Sequence, residues 1–247
     1  MKFSGKNVLI TGASRGIGAG IAKVLAAYNL KVWINYRSDE NIALALKDEI
    51  EKSGANAAVI KFNADNESEV ISAFKVIADC DGGLDYLVNN AGITNDKLAL
   101  RMKVEDFMSV IDSNLKSAFI CSREALKMMS KNRFGSVVNI ASIIGERGNA
   151  GQSNYAASKG GMIAMSKSFA YEGASRAVRF NAITPGFVDT SMTESLSDEI
   201  KATYLKNIPL GRFANVGEIA EVVAFLLSDS ASYITGEVIK VNGGLYM

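Results

Sequence analysis

No histidine occurs in the 247 residues. That absence removes Ser-His-Asp and Cys-His catalysis and the usual imidazole metal ligands, so proton work near neutral pH falls to a tyrosine or lysine. Cysteine is nearly absent too: Cys80 and Cys121 cannot build a disulfide framework or a zinc site, and they read as small core residues in a reducing compartment. Neither sign of charge is in excess, since 27 basic and 26 acidic residues leave a formal charge of +1. No global field gathers nucleic acid or an anionic membrane. No apolar run is long enough to span a bilayer, and Met1-Lys2-Phe3-Ser4-Gly5-Lys6 lacks a signal-peptide core. The expectation is a soluble, cytoplasmic protein with no metal, nucleic-acid or membrane partner. Proline is scarce: Pro185 and Pro209 are the only two, and they bracket the long stretch Gly186 to Ile208. That stretch has few large apolar residues beyond Phe187, Leu196 and Leu205, so a substrate lid is expected at about 187–208.

What is present is a large apolar fraction, 48%, distributed as short β-branched runs alternating with longer stretches of helical period. The runs are Val8-Thr11, Lys31-Asn35, Ala57-Lys61, Tyr86-Asn89, Ser136-Ile140, Arg179-Thr184 and Glu237-Val241. Several are continuously apolar, as strands covered on both faces should be. Ile17, Ile21, Leu25 and Tyr28 form one helical stripe, and Ile219, Val222, Val223, Leu226 and Leu227 another. With no repeat and no linker, the expectation is a single α/β domain over 1–247. Its architecture is a doubly wound (Rossmann) parallel sheet of seven strands, order 3-2-1-4-5-6-7, with helices on both faces.

Val8-Leu9-Ile10 runs directly into Thr11-Gly12-Ala13-Ser14-Arg15-Gly16-Ile17-Gly18, where the first helical stripe begins. Glycines in such a strand-to-helix turn allow a sharp bend and let backbone amides approach a pyrophosphate at the helix N-terminus. The spacing is Gly-x3-Gly-x-Gly rather than the commoner Gly-x-Gly-x2-Gly, and its position between buried strand and amphipathic helix is what gives it specificity. The second strand ends Asn35-Tyr36-Arg37-Ser38, without the carboxylate that would bond an adenosine ribose 2'-hydroxyl. Arg37 and Arg15 could instead clamp the 2'-phosphate of NADP, or be ordinary solvated charges. Asp39 and Glu40 suit the start of the next helix.

Tyr155 and Lys159 stand four residues apart, on one face of a helix. A free phenol has a pKa of about 10, and a nearby cation favours its ionised form, which brings it toward useful acid/base range. By itself the pair also describes a half-buried aromatic beside a surface lysine.

Thr11-Gly12-x3-Gly16-Ile17-Gly18, Asn89-Asn90-Ala91-Gly92, Asn114, Ser142, Tyr155-x3-Lys159 and Pro185-Gly186 together resemble the short-chain dehydrogenase/reductase family in order and spacing, over nearly the whole chain. Within it, Ile93-Thr94 after the Asn-Asn-Ala-Gly motif and the end Asn242-Gly243-Gly244-Leu245-Tyr246-Met247 are most similar to bacterial reductases of 3-oxoacyl-[acyl-carrier-protein]. The resemblance implies NADPH-dependent reduction of that thioester to the 3R-hydroxy product in fatty acid biosynthesis. Tyr155 is implied as proton donor and Lys159 as partner of the nicotinamide ribose that lowers the tyrosine pKa. Ser142 is implied to hold the carbonyl, and Asn114 a relay water. The cofactor positions implied are Gly12, Ser14, Arg15, Gly16, Ile17, Gly18, Arg37, Asn63, Ala64, Asn90, Ala91, Gly92, Tyr155, Lys159, Pro185, Gly186 and Val188. Asn63 stands where relatives often have aspartate. Ser142 also fits a strand-end turn, and Asn90 and Val188 fit turn and core.

An acidic acyl-carrier protein needs a basic rim near the site, for which Lys131, Arg133, Arg176 and Arg179 are candidates; cations are also common at helix C-termini. The resemblance further implies a homotetramer built on the helix around Ala118 to Met129, the Tyr155 helix and the last strand. Phe119, Met128, Met129, Met162 and Met165 could be covered by a neighbour or by the chain's own core. Two other functions are open to the same fold: another NADPH-dependent carbonyl reductase, acting on an acyl-coenzyme A, a sugar or a quinone, and a non-catalytic dinucleotide-binding regulator, which predicts loss of at least one of Ser142, Tyr155 and Lys159, all present here.

Overall fold

A computed structural model of the protein describes residues 1–190, 193 and 198–247. Seven parallel strands form one sheet: β1 (Asn7–Ile10), β2 (Lys31–Tyr36), β3 (Ala57–Lys61), β4 (Tyr86–Asn89), β5 (Gly135–Ile140), β6 (Val178–Pro185) and β7 (Val238–Val241), ordered 3-2-1-4-5-6-7. The runs read from the sequence agree with these to one residue at either end.

Because successive strand residues point to opposite faces, β1 sends Val8 and Ile10 one way and Leu9 the other. The first face packs on α1 (Gly16–Ala27), α2 (Glu40–Lys52) and α9 (Val216–Leu227), through side chains such as Ile21, Leu25, Val223 and Leu226. The second packs on α3 (Glu67–Asp81), α5 (Ser117–Asn132) and α7 (Ser153–Ala174), through Val70, Ile77, Cys121 and Phe169. Each such side chain stabilises the fold by roughly 1.5–3 kcal/mol when fully buried. Both helical stripes of the sequence are therefore core. Shorter helices α4 (Val104–Ile111), α6 (Ile144–Arg147) and α8 (Asp198–Leu205) decorate the site edge.

The register places Ile10 beside both Ile34 and Val88, Asn89 beside Asn139, and Ile140 beside Ile183. All carboxy-terminal strand ends thus share one edge. Chain connections leave β1 toward β2 on one side and reach β4 on the other, which opens a crevice at that edge. Of the expected lid, Leu196 and residues 191, 192, 194, 195 and 197 lie outside the described residues. Its ends are more anchored than its sparse apolar content suggests: Val188 and Ile208 are buried, and Phe187 stacks on Tyr204 at 4.2 Å.

Candidate active site

Strand order fixes the order of groups along the crevice: Asn63 and Ala64 after β3, Arg37 after β2, the Gly12 to Gly18 turn after β1, Asn90 to Gly92 after β4, Ser142 after β5, then Pro185 to Val188. An extended dinucleotide fits such a strip from adenine to nicotinamide. The turn itself is cut for an anion. Gly16 has φ +56° and a Cβ there would meet nothing within 4 Å, so it fronts open space. Gly18 is the opposite case, where a Cβ would lie 2.5 Å from Asn90 Nδ2 and 2.7 Å from the Gly12 carbonyl. Arg15 caps α1 with no side-chain bond, and the first turn holds no acidic residue, which leaves amides and dipole to a phosphate.

Neighbouring loops brace the turn. Asn90 Nδ2 donates to the Thr11 and Gly12 carbonyls, each at 3.0 Å, and Thr11 Oγ1 accepts from the Asn90 and Ala91 amides, also at 3.0 Å. Buried Asn35 accepts from the Gly12 amide at 3.0 Å and donates to the Phe62 carbonyl at 3.0 Å, tying β1, β2 and β3 together. Asn63 donates through its amide to Glu69 and through Nδ2 to Asp65, beside the buried Ala64. Arg15 and Arg37 are exposed and make no ion pair among the described residues. The nearby carboxylates are occupied elsewhere: Asp39 caps α2 at the Ile42 amide, and Glu40 accepts from the Tyr36 hydroxyl at 2.8 Å.

The residues expected to act in catalysis are brought together by α7 against the end of β5. Tyr155 and Lys159 lie one turn apart, and the phenol faces the Ser142 side chain closely enough for that hydroxyl to favour its ionised form. Lys159 is buried, donates to the Ile140 carbonyl at 2.7 Å and sits 5.7 Å from the Tyr155 ring centre. Burial alone pushes its ammonium down to about 8. The phenol moves up: burial is the main cause, the Asp96 carboxylate adds to it, and the Ser142 hydrogen bond opposes it. The lowering by Lys159 that the resemblance implies is not among the causes, and the upward shift favours the protonated phenol.

Asn114 occupies a π-helical turn, Asp112–Lys116, between α4 and α5. A turn of that kind inserts an extra residue and re-aims a side chain. Asn114 Oδ1 accepts from the Ile93 amide at 2.7 Å, and Nδ2 donates to the Ile93 carbonyl at 3.0 Å and to Ser158 Oγ at 3.1 Å. Ser158 in turn donates to the Tyr155 carbonyl at 2.8 Å. Asn114 therefore joins the loop after β4 to the catalytic helix.

Residues 12–246 match the family model described as enoyl-(acyl carrier protein) reductase. The chain is 47% identical to the 3-oxoacyl-[acyl-carrier-protein] reductase FabG of Escherichia coli (strain K12) over 247 residues, which is 100% of both chains. It is equally 47% identical to the enzymes of that name from Staphylococcus aureus (strain Mu50 / ATCC 700699), over 98% of both chains, and Salmonella typhimurium (strain LT2), over 100% of both. The chain belongs to the short-chain dehydrogenase/reductase family.

Within this family's frame, the edge brings together every predicted catalytic and cofactor residue, but not the predicted basic rim. Arg133 ends α5, and Arg176 precedes β6, so both lie at the amino-terminal edge of the sheet. The six residues of β5 separate that edge from Ser142 by about 20 Å. Arg179 is corrected outright: its half-buried guanidinium donates to the carbonyls of Leu227, Ser228 and Ile234, and so caps α9. Arg133 also spends one donor on the Ser175 carbonyl, at 3.1 Å. Three residues that brace the site escaped the sequence reading: Asn35, Ser158 and Asn154. Asn35 sits where a strand residue is expected to be mere core, and only an asparagine buried in an apolar run would have flagged it.

Proposed function

We propose that this protein reduces 3-oxoacyl-[acyl-carrier-protein] to the (3R)-3-hydroxyacyl product with NADPH, as a step of fatty acid biosynthesis in the cytoplasm. The observation that carries this reading is the contact of Tyr155 with Ser142 above the buried Lys159, in a chain that aligns end to end with 3-oxoacyl-[acyl-carrier-protein] reductases. NADPH supplies the hydride when bound. Gly12 to Gly18 would hold its pyrophosphate, Arg15 and Arg37 its 2'-phosphate, and Asn63 and Ala64 its adenine. Asn90, Ala91, Gly92, Tyr155, Lys159, Pro185, Gly186 and Val188 would hold the nicotinamide half.

Ser142 and Tyr155 are neighbours, and in the proposed reaction both hydroxyls bond one substrate oxygen and fix the carbonyl. Tyr155 then passes its proton to the oxygen as negative charge develops there. Lys159 stabilises the phenolate left behind, and Asn114 orients a water that returns a proton. The description of the matching family model favours a second reading, reduction of a carbon–carbon double bond. Hydride addition to an enoyl thioester also develops charge on a carbonyl oxygen, so what favours the first reading is the end-to-end match to 3-oxoacyl-[acyl-carrier-protein] reductases.

The chain is read as one domain whose segment 187–208 covers the substrate, and as a homotetramer packed through α5, α7 and β7. Phe119, exposed on α5, supports such packing, whereas Met129 and Met162 are covered by the chain's own core. Arg133 and Arg176 are the proposed docking residues for the acidic carrier protein. Nicotinamide oxidation measured in parallel on 3-oxoacyl-carrier-protein, 3-oxoacyl-coenzyme A, a simple ketone and an enoyl thioester tests the reading. The carrier-bound 3-oxo substrate should be turned over fastest, with NADPH preferred over NADH and that preference eroded in Arg37→Asp. Preference for the enoyl substrate would reject it.

A further inference from the structure

Tyr155 stands in the first turn of α7, the part of a helix least able to hold a side chain still, because its first amides have no carbonyl partner within the helix. The residue that should cap this helix, Gln152, makes no capping bond. Asn154 takes over that task. It is fully buried, and its Oδ1 accepts from the Tyr155 amide at 2.7 Å. Its Nδ2 reaches the other way, donating to the Asn95 carbonyl at 2.8 Å and, more weakly, to the Asp106 carbonyl at 3.4 Å.

This bond is one rung of three. The Gln152 side chain donates to Asp96 at 2.8 Å, and the Lys97 amide donates to the Gly151 carbonyl at 2.8 Å. Residues 95, 96 and 97 are thus each fastened to the segment 151–154. Asp106 secures the far side, accepting from Lys97 Nζ at 2.7 Å and from Asn95 Nδ2 at 3.0 Å. Of the side chains in these rungs, that of Asn154 is the buried one, and it also bonds the backbone of the proton donor.

We propose that Asn154 is a positioning residue for Tyr155, holding the start of α7 against the loop 95–97 so that the phenol stays in contact with Ser142. The proposal rests on the reading of Tyr155 as proton donor to a carbonyl. A serine or alanine at 154 would leave the Tyr155 amide or the Asn95 carbonyl without its partner, and the first turn would fray. Aspartate keeps the shape and the acceptor but cannot donate, and sets oxygen against the Asn95 oxygen.

The test is Asn154→Ala and the isosteric Asn154→Asp, each followed by steady-state kinetics, NADPH binding and thermal melting. In both variants kcat should fall at least tenfold, while KM for the 3-oxo substrate and the NADPH dissociation constant stay within about threefold. A wild-type kcat, or a fall matched by equal losses of NADPH affinity and melting temperature, would overturn the proposal. NMR of protein carrying 13C-labelled tyrosine ring carbons supplies a readout that needs no turnover. The Tyr155 resonance, assigned by its loss in Tyr155→Phe, should shift or broaden in Asn154→Asp while those of Tyr36 and Tyr86 do not. An unmoved Tyr155 resonance would equally overturn it. If wild-type protein reduces no 3-oxo substrate, the functional reading fails and the NMR comparison still decides the positioning role.

Discussion

Lys159 shows how strongly this site departs from what stability alone would choose. Its folded pKa of about 8, against an ordinary 10.5, means that the folded state gives up the proton first. Between those values the unfolded chain binds more protons, so stability should rise with pH across that window. At pH 7 the buried ammonium costs roughly 3 kcal/mol. Lys159→Met removes the penalty but strands the Ile140 carbonyl, for a net gain of about 1–2 kcal/mol. Chemical denaturation at pH 7 should show that gain together with loss of turnover; destabilisation would contradict the assignment. Carbonyl reduction by the intact enzyme should decline as pH rises through about 8, as the lysine loses its charge. Residue identity and spacing named Tyr155, Lys159 and Ser142 as candidates in the sequence, and the fold brings the three to the same strand end. The direction of the tyrosine shift was not legible, since burial is a property of the assembled cleft.

At the scale of elements, the strand-turn-helix unit from β1 to α1 is the proposed cofactor half of the site. Its third glycine is fixed by packing rather than by dihedral angle. Gly18→Ala would push a methyl into Asn90 Nδ2 and the Gly12 carbonyl, both closer than contact permits. Overpacking of this kind costs about 1–3 kcal/mol. Fluorescence titration should find NADPH binding weakened by tenfold or more; unchanged affinity would show that the turn does not cradle the pyrophosphate. The strands and the two apolar helical stripes were readable because periodicity and burial are written in the order of residues. The π-helical turn at Asn114 was not, because a single extra residue in a helix leaves no periodic trace. The caps differ again: Asn215 and Glu218 exchange bonds of 3.0 and 2.9 Å at the head of α9, a capping box absent from the sequence expectations.

At the scale of the whole molecule, the parallel sheet separates chemistry from the basic residues expected to serve it. Loops after the strands hold the site, and Arg133 and Arg176 lie at the opposite edge. Sequence distance cannot reveal this, because both edges alternate along the chain every dozen or so residues. If a neighbouring copy brings those arginines to the cleft, Arg133→Glu with Arg176→Glu should raise KM for carrier-bound substrate about tenfold. A small thioester mimic should be affected far less, and equal effects would reject docking there. The order 3-2-1-4-5-6-7 was legible because connections are short and right-handed, which leaves few other ways to wind these elements.

The claim that binds these scales is that the phenol of Tyr155 delivers the proton. Tyr155→Phe removes one oxygen and leaves the cofactor strip intact, so turnover and NADPH affinity measured on the same preparation test it most directly. Turnover of the 3-oxo substrate should fall by a factor of 100 or more on the order expected for a lost general acid, with NADPH binding nearly unchanged. Turnover persisting near the wild-type rate would contradict the account.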